Sequence, residues 1–257
     1  MLYQLMIVVI KRIININILH TCLREVWRGK NYFLWTFSIC FVSCSQPDCI
    51  APNEDVRTKV ISSFEIIIQP GAEGKDAGVS TYFPEDNFGS VKNLNALTWT
   101  ENVLPYTERG YIDFDVKKYL PENVKILRAY LKLFADTINK SPGIKGHSFQ
   151  SYQGIKLNND WQIYRIVSPW NEDEITWFEQ PEVSLIDVIN LPGPQFFFQS
   201  VTVDVTEHIR QKYKGSSKYN GFMIRNKVES PYQCIAFCSS DNDRKELRPQ
   251  LVVEYEK

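Results

Sequence analysis

The feature that most constrains this chain is a run of short segments, rich in β-branched and aromatic residues, that alternate apolar and polar positions between clusters of turn residues. Strands of this kind each bury one face, and their recurrence is the signature of an all-β sandwich or barrel. The expected strands lie at 62–68, 94–100, 109–115, 125–135, 161–167, 200–205, 221–225, 233–239 and 250–256. Nine strands suit two packed antiparallel sheets, so the expected fold is an all-β sandwich. One short helix is expected over Thr206–Tyr213, with Asp204 or Thr206 as its cap. Val205, Ile209 and Tyr213, spaced by four, share one face there and close an end of the sandwich. At 257 residues the chain has room for one large domain or two small ones, and a single sandwich over 62–257 is the economical reading.

The first 61 residues read differently. An apolar run at 32–42 follows Arg28 and Lys30 and precedes Ser43-Cys44-Ser45. Spanning a bilayer takes about 20 residues, so the run has the length and basic flank of a signal-peptide core instead. A small residue directly before Cys44 resembles a bacterial lipoprotein cleavage site, although Phe41 stands where Leu or Val is usual. The expectation is a leader at 1–43, lipid attachment at Cys44 and a tether at 44–61; plain secretion is the alternative. Residues 1–27 carry an extra apolar run at 2–10, which either lies upstream of the true start or forms a membrane-associated helix. The leader holds five Lys/Arg against one acid, and without it 24 basic and 29 acidic residues remain. A net charge of −5 argues against a nucleic-acid partner.

Of six cysteines, Cys22 and Cys40 leave with the leader, and Cys49 lies in the tether. Cys234 and Cys238 are four apart in an expected strand, roughly 13 Å between Cα atoms, beyond disulfide reach. They read as buried structural thiols. Residues 136–160 have no clear period and form a long loop, a kind of segment that often carries function in a compact domain.

At the C-terminus Ser239-Ser240-Asp241, a polar stretch, Pro249 and the strand Leu251-Val252-Val253-Glu254-Tyr255 resemble the close of the DNRLRE domain family. Other landmarks follow in order: Asp76, Asn87-Phe88-Gly89, Arg109 ahead of Phe114-Asp115, 126–133, 164–166, and Trp170-Asn171-Glu172-Asp173-Glu174-Ile175-Thr176-Trp177 with Gln180-Pro181. Val203-Asp204-Val205-Thr206 and Asn220-Gly221-Phe222 complete the set. The resemblance covers nearly all of 65–256 and extends to carbohydrate-binding module family ninety-six. It implies a jelly-roll sandwich and an acidic polysaccharide such as alginate as ligand. The 136–160 connection is longer than the family's usual one. With the leader, the whole resembles a Bacteroidota-type lipoprotein at the outer membrane or cell surface.

No nucleophile elbow, zinc-binding H-E-x-x-H, phosphate loop or dinucleotide fingerprint is present. Glu172, Asp173 and Glu174 are the acids that paired-carboxylate glycoside chemistry would use, but their place between Trp170 and Trp177 in the family motif assigns them to a turn. No enzyme activity is expected. Sugars stack their C–H faces on exposed rings, which makes Trp99 and Trp161, with Phe149 and Tyr152 from the long loop, the ligand candidates; core packing is the alternative for each. Arg109 and Arg128 are of the type that grips a uronate carboxylate in two-pronged fashion, the alternative being an internal ion pair to Asp113, Asp115 or another acid. Calcium on clustered acids such as Asp241 and Asp243 is left open, since their spacing is not that of an EF-hand loop, and no cofactor is assigned. The expected function is therefore polysaccharide binding without cleavage. A structural or adhesive surface protein with a protein partner is the alternative, ahead of a hydrolase or lyase.

Overall fold

The computed structural model describes residues 62–71, 73–137, 147 and 159–257. The expected leader, Cys44 and tether, with Phe149 and Tyr152, lie outside the described residues. Strands β1 (Ser63–Ile68), β2 (Lys75–Ser80), β3 (Asn93–Glu101) and β4 (Leu104–Asp113) are followed by a helical turn α1 (Val116–Tyr119). Then come β5 (Lys125–Leu133), β6 (Trp161–Arg165), β7 (Ile189–Leu191), β8 (Val201–Asp204), helix α2 (Thr206–Tyr213), β9 (Phe222–Asn226), β10 (Gln233–Cys238) and β11 (Gln250–Glu256). All pairings are antiparallel. One sheet runs β1-β11-β5-β8; the other runs β10-β3-β4-β9-β6-β7, with β2 also paired to β4. The all-β sandwich holds.

Alternation explains how the sheets meet. In β5, Ala129, Leu131 and Leu133 are buried while Arg128, Tyr130 and Lys132 are not. They join Leu251 and Val253 of β11, and Leu94, Ile112, Ile163, Ile224, Ile235 and Phe237 of the other sheet, in one core. The partner of Glu254 is Arg128 and that of Tyr255 is Ile126, so Leu127 is an extra residue in β5. This bulge keeps both Ile126 and Ala129 in the core. Its two carbonyls are not lost to the ladder: Arg210 of α2 donates to Ile126 O at 2.9 Å and to Leu127 O at 2.6 Å. Helix α2 presents Val205, Ile209 and Tyr213 to the core, as their spacing predicts. Its cap differs from expectation. Val205 holds the cap position, and Asp204 accepts from Thr206 N at 2.9 Å while Thr206 Oγ1 accepts from Ala129 N.

Both faces of β10 are covered. Ile235 and Phe237 enter the main core, while Cys234 and Ala236 pack with Leu97, Trp99 and Tyr106 on the other face. Cys234 and Cys238 are buried as expected, and burial pushes both thiols upward, Cys238 to about 12. The edge of β10 away from β3 is also occupied. Phe134 O accepts from Cys238 N, Asn159 Nδ2 donates to Cys234 O, and His147 Nδ1 accepts from Ala236 N at 3.1 Å.

Candidate functional site

The candidate site is a groove of about 1190 Å³ between the ends of β2, β3 and β4 and the segment after β10. β4 pairs with β3 through its first half and with β2 and β9 through its second. β2 and β3 thus separate, leaving Gly78 to Ser80 on one wall and Asn93, Asn95 and Leu97 on the other. The rim holds a chain of rings. Tyr82 meets Phe83 edge-to-face at 4.7 Å and Tyr106 at 5.6 Å, and Phe83 lies 6.3 Å from Phe88. Tyr82 and Phe83 are 44% and 49% exposed, because they sit in the turn after β2 rather than in a strand that could bury them. Polar groups suited to sugar hydroxyls sit deeper: Asn95 Nδ2 donates to Glu108 Oε2 at 2.9 Å, and the buried Asn242 lines the wall, with the exposed Ser90 at its edge. Burial raises the Glu108 carboxyl above the usual carboxylate range. Burial, with the neighbouring Glu108 and Glu101 carboxylates, pushes Tyr106 up to about 12.

The groove's cations are already engaged. Lys92 pairs with Asp243 at 2.6 Å and Arg244 with Glu246 at 3.1 Å. Arg109 forms a two-pronged pair with Glu229 (2.8 and 2.9 Å), donates to Gln180 Oε1 at 2.9 Å, and lies 4.6 Å over the Trp177 ring. Its partner acid is Glu229, not Asp113 or Asp115. Arg128 is elsewhere, exposed on the outer face of the β1-β11-β5-β8 sheet opposite Glu254. The two arginines therefore do not form one site.

The rings chosen from sequence divide as well. Trp161 is 1% exposed and packs 5.4 Å from Phe237 in the main core, so it has no face to offer a sugar. Trp99 is half-buried, edge-on to Tyr232 at 5.4 Å, and does not line the groove. What the sequence reading passed over is Tyr82-Phe83. Their signal was available: two adjacent rings directly before Pro84 in a turn-rich stretch have nowhere to be buried.

The 170–177 motif does form a turn. Asn171 accepts from the backbone N–H of Asp173, Glu174 and Ile175, and Trp170 Nε1 donates to Asn220 O at 2.8 Å. Glu172 reaches further: its Oε1 accepts from Asp76 N at 3.1 Å. Asp76, Glu172 and Asp241 each place a carboxylate oxygen within 4.8 Å of the other two. Asp241 directly precedes Asn242 and Asp243 of the groove wall.

The sequence profile of carbohydrate-binding module family 96 matches residues 71–255. No curated protein matches the chain. The matched span covers both sheets from β2 to β11, the ring-lined groove and all three clustered acids, and the chain belongs to carbohydrate-binding module family 96.

Proposed function

We propose that the protein holds a polysaccharide chain along the groove without cleaving it, as a lipoprotein anchored outside the cytoplasm through Cys44. Family membership makes the ligand a carbohydrate. The observation that carries the placement is the exposed Tyr82-Phe83 pair on the rim of a groove whose floor offers Asn95 and Glu108. Stacking on rings supplies affinity, and side-chain amides and carboxylates fix orientation by accepting and donating to hydroxyls. The groove's charge weighs against the acidic polysaccharide implied by resemblance. Glu101, Glu108, Asp136 and Asp243 face Lys92, Arg109 and Arg244, and those three cations already have acid partners. A neutral glycan fits this lining better than a uronate polymer, whose carboxylates would approach four acids while the groove's cations are already paired.

Glycoside hydrolysis needs two carboxyls flanking the scissile bond; membership of a binding-module family supports binding without cleavage, and Glu172 and Glu174, the acids a hydrolase or lyase would use, sit in the 170–177 turn and do not line the groove. Affinity gels and calorimetry with neutral and acidic polysaccharides test the proposal. A Tyr82→Ala or Phe83→Ala change is expected to weaken binding roughly 5- to 100-fold, from about 1 to 3 kcal/mol per stacked ring. Unchanged affinity in both variants removes the groove as the site; product release that Glu172→Gln abolishes makes the protein an enzyme. Binding to no glycan, with a protein ligand captured instead, would favour the adhesive alternative.

A further inference from the structure

We propose that Asp76, Glu172 and Asp241 form a site for a divalent cation of the calcium class, which ties together β2, the 171–175 turn and the segment after β10. Three segments far apart in sequence bring one carboxylate oxygen each within 4.8 Å of the others. An acidic cluster alone is not a site, because surface acids gather without any ion. Here a second observation points inward: Asp76 is 1% exposed, and its Oδ1 is buried with no hydrogen-bond partner. Its other oxygen, Oδ2, accepts from Ser240 N at 2.8 Å. A buried carboxylate oxygen without a partner costs free energy that the fold must recover elsewhere.

The positive charge that described side chains supply is partial: Arg248 acts on Asp76 and Asp241, and Lys75 on Glu172. None of the three acids belongs to an ion pair among the described residues. Arg248 donates its Nε to Asn242 O. Lys75 lies 4.3 Å over the Trp170 ring. Burial raises the Asp76 carboxyl to about 6 and that of Glu172 to about 7; hydrogen bonds from Ser240 to Asp76 and from Asp76 N to Glu172 oppose the rise, and the neighbouring carboxylates add to it. Asp241 shifts the same way through burial. A divalent cation reverses that balance, since it supplies the positive charge that burial withholds.

The surroundings are built for fixed acids. Asn87 Nδ2 donates to Glu172 O at 2.7 Å and Ile175 O at 2.9 Å, clamping the turn that carries Glu172. Gly89 presses against it: a Cβ there would lie 2.8 Å from Glu172 O and 3.0 Å from its Cγ. At Gly74 a Cβ would come within 2.7 Å of the Ser240 side chain, next to Asp241. All the donors are carboxylate oxygens, the hard ligands that calcium and magnesium take. Coordination habit separates the two: calcium accepts six to eight oxygens in a flexible shell, which suits three carboxylates held by separate segments, whereas magnesium demands a near-ideal octahedron and keeps most of its waters.

The test uses the full chain, stripped with a chelator and dialysed against metal-free buffer. Calcium chloride at a hundredfold excess over its Kd is expected to raise Tm by about 5–10 °C, and elemental analysis to find one ion per chain. The Asp76→Asn variant should gain nothing from calcium, yet melt higher than the wild type in chelator, because the unpartnered buried charge is gone. Glu172→Gln, a partly exposed position, should show the same loss of response with little change in fold. No calcium shift in the wild type overturns the proposal, as does a calcium shift that survives both substitutions. An equal response to magnesium overturns the choice of ion.

Discussion

His147 is the point at which the long 136–160 connection can be tested with a single substitution. Its ring is 1% exposed and lies 5.1 Å from Phe237. Ala236 N–H donates to Nδ1 at 3.1 Å, so Nδ1 is the acceptor and Nε2 carries the hydrogen that it donates to Gln199 O at 2.8 Å. This requires the neutral ring. Replacing it in His147→Leu leaves the buried Ala236 N–H and the partly buried Gln199 carbonyl without their partner, each costing about 1–3 kcal/mol, for a loss of about 2–6 kcal/mol at pH 7.5. Burial also lowers the folded-state pKa below its ordinary 6.5. The unfolded chain therefore takes up the proton first, and the stability this group contributes is complete above pH 6.5 and lost as pH falls below it, at no more than about 1.4 kcal/mol per pH unit. Urea unfolding of both proteins at pH 7.5, 6.5 and 5.5 measures this. The difference between them should narrow on acidification, and taking the difference removes what His208, Asp76 and Glu172 contribute equally to both. A gap that stays constant between pH 7.5 and 5.5 refutes the neutral-latch geometry.

Trp161→Ala should cost about 3–5 kcal/mol of stability as a core truncation, read as a fall in urea midpoint. Trp99→Ala should cost less and leave glycan affinity per folded molecule unchanged, because its ring lies off the groove. Cys44→Ser should move the protein from the membrane fraction to the soluble fraction; unaltered membrane association would assign anchoring to the apolar run at 2–10 instead.

Strands with a clean period of two were legible from sequence, because burial of one face is written in the residues. β5 and β11 are examples. β2 was not, since its Lys75-Asp76-Ala77-Gly78 start holds residues that strands disfavour, and only pairing to β4 makes it extended. The start of β4 was hidden similarly. The two-residue turn at Asn102 and Val103 has φ of 50° and 63°, a mirror-image hairpin turn without the glycine that usually announces it. β7, three residues long, carries too little pattern to detect. At the site, Trp161 stayed open between core and ligand because a lone tryptophan at the start of a strand gives no sign of which face it joins. Asp76, Glu172 and Asp241 each stood within a family landmark, but separations of 96 and 69 positions give no spacing motif. Only the folded arrangement joins them.

The pairing of β1 with β11 places Ser63 opposite Glu256, so the chain enters and leaves the sandwich at the same end of one two-strand ladder. A pull between those two points loads the ladder's hydrogen bonds one after another, as a zipper, instead of shearing all six residue pairs together. Such a joint opens at low force. Because β1 is an edge strand whose one described strand partner is β11, a load that enters at Ser63 leaves through the same ladder wherever else the sandwich is gripped. The β1–β11 ladder is therefore the joint whose hydrogen bonds set the mechanical resistance of the sandwich to a pull at Ser63.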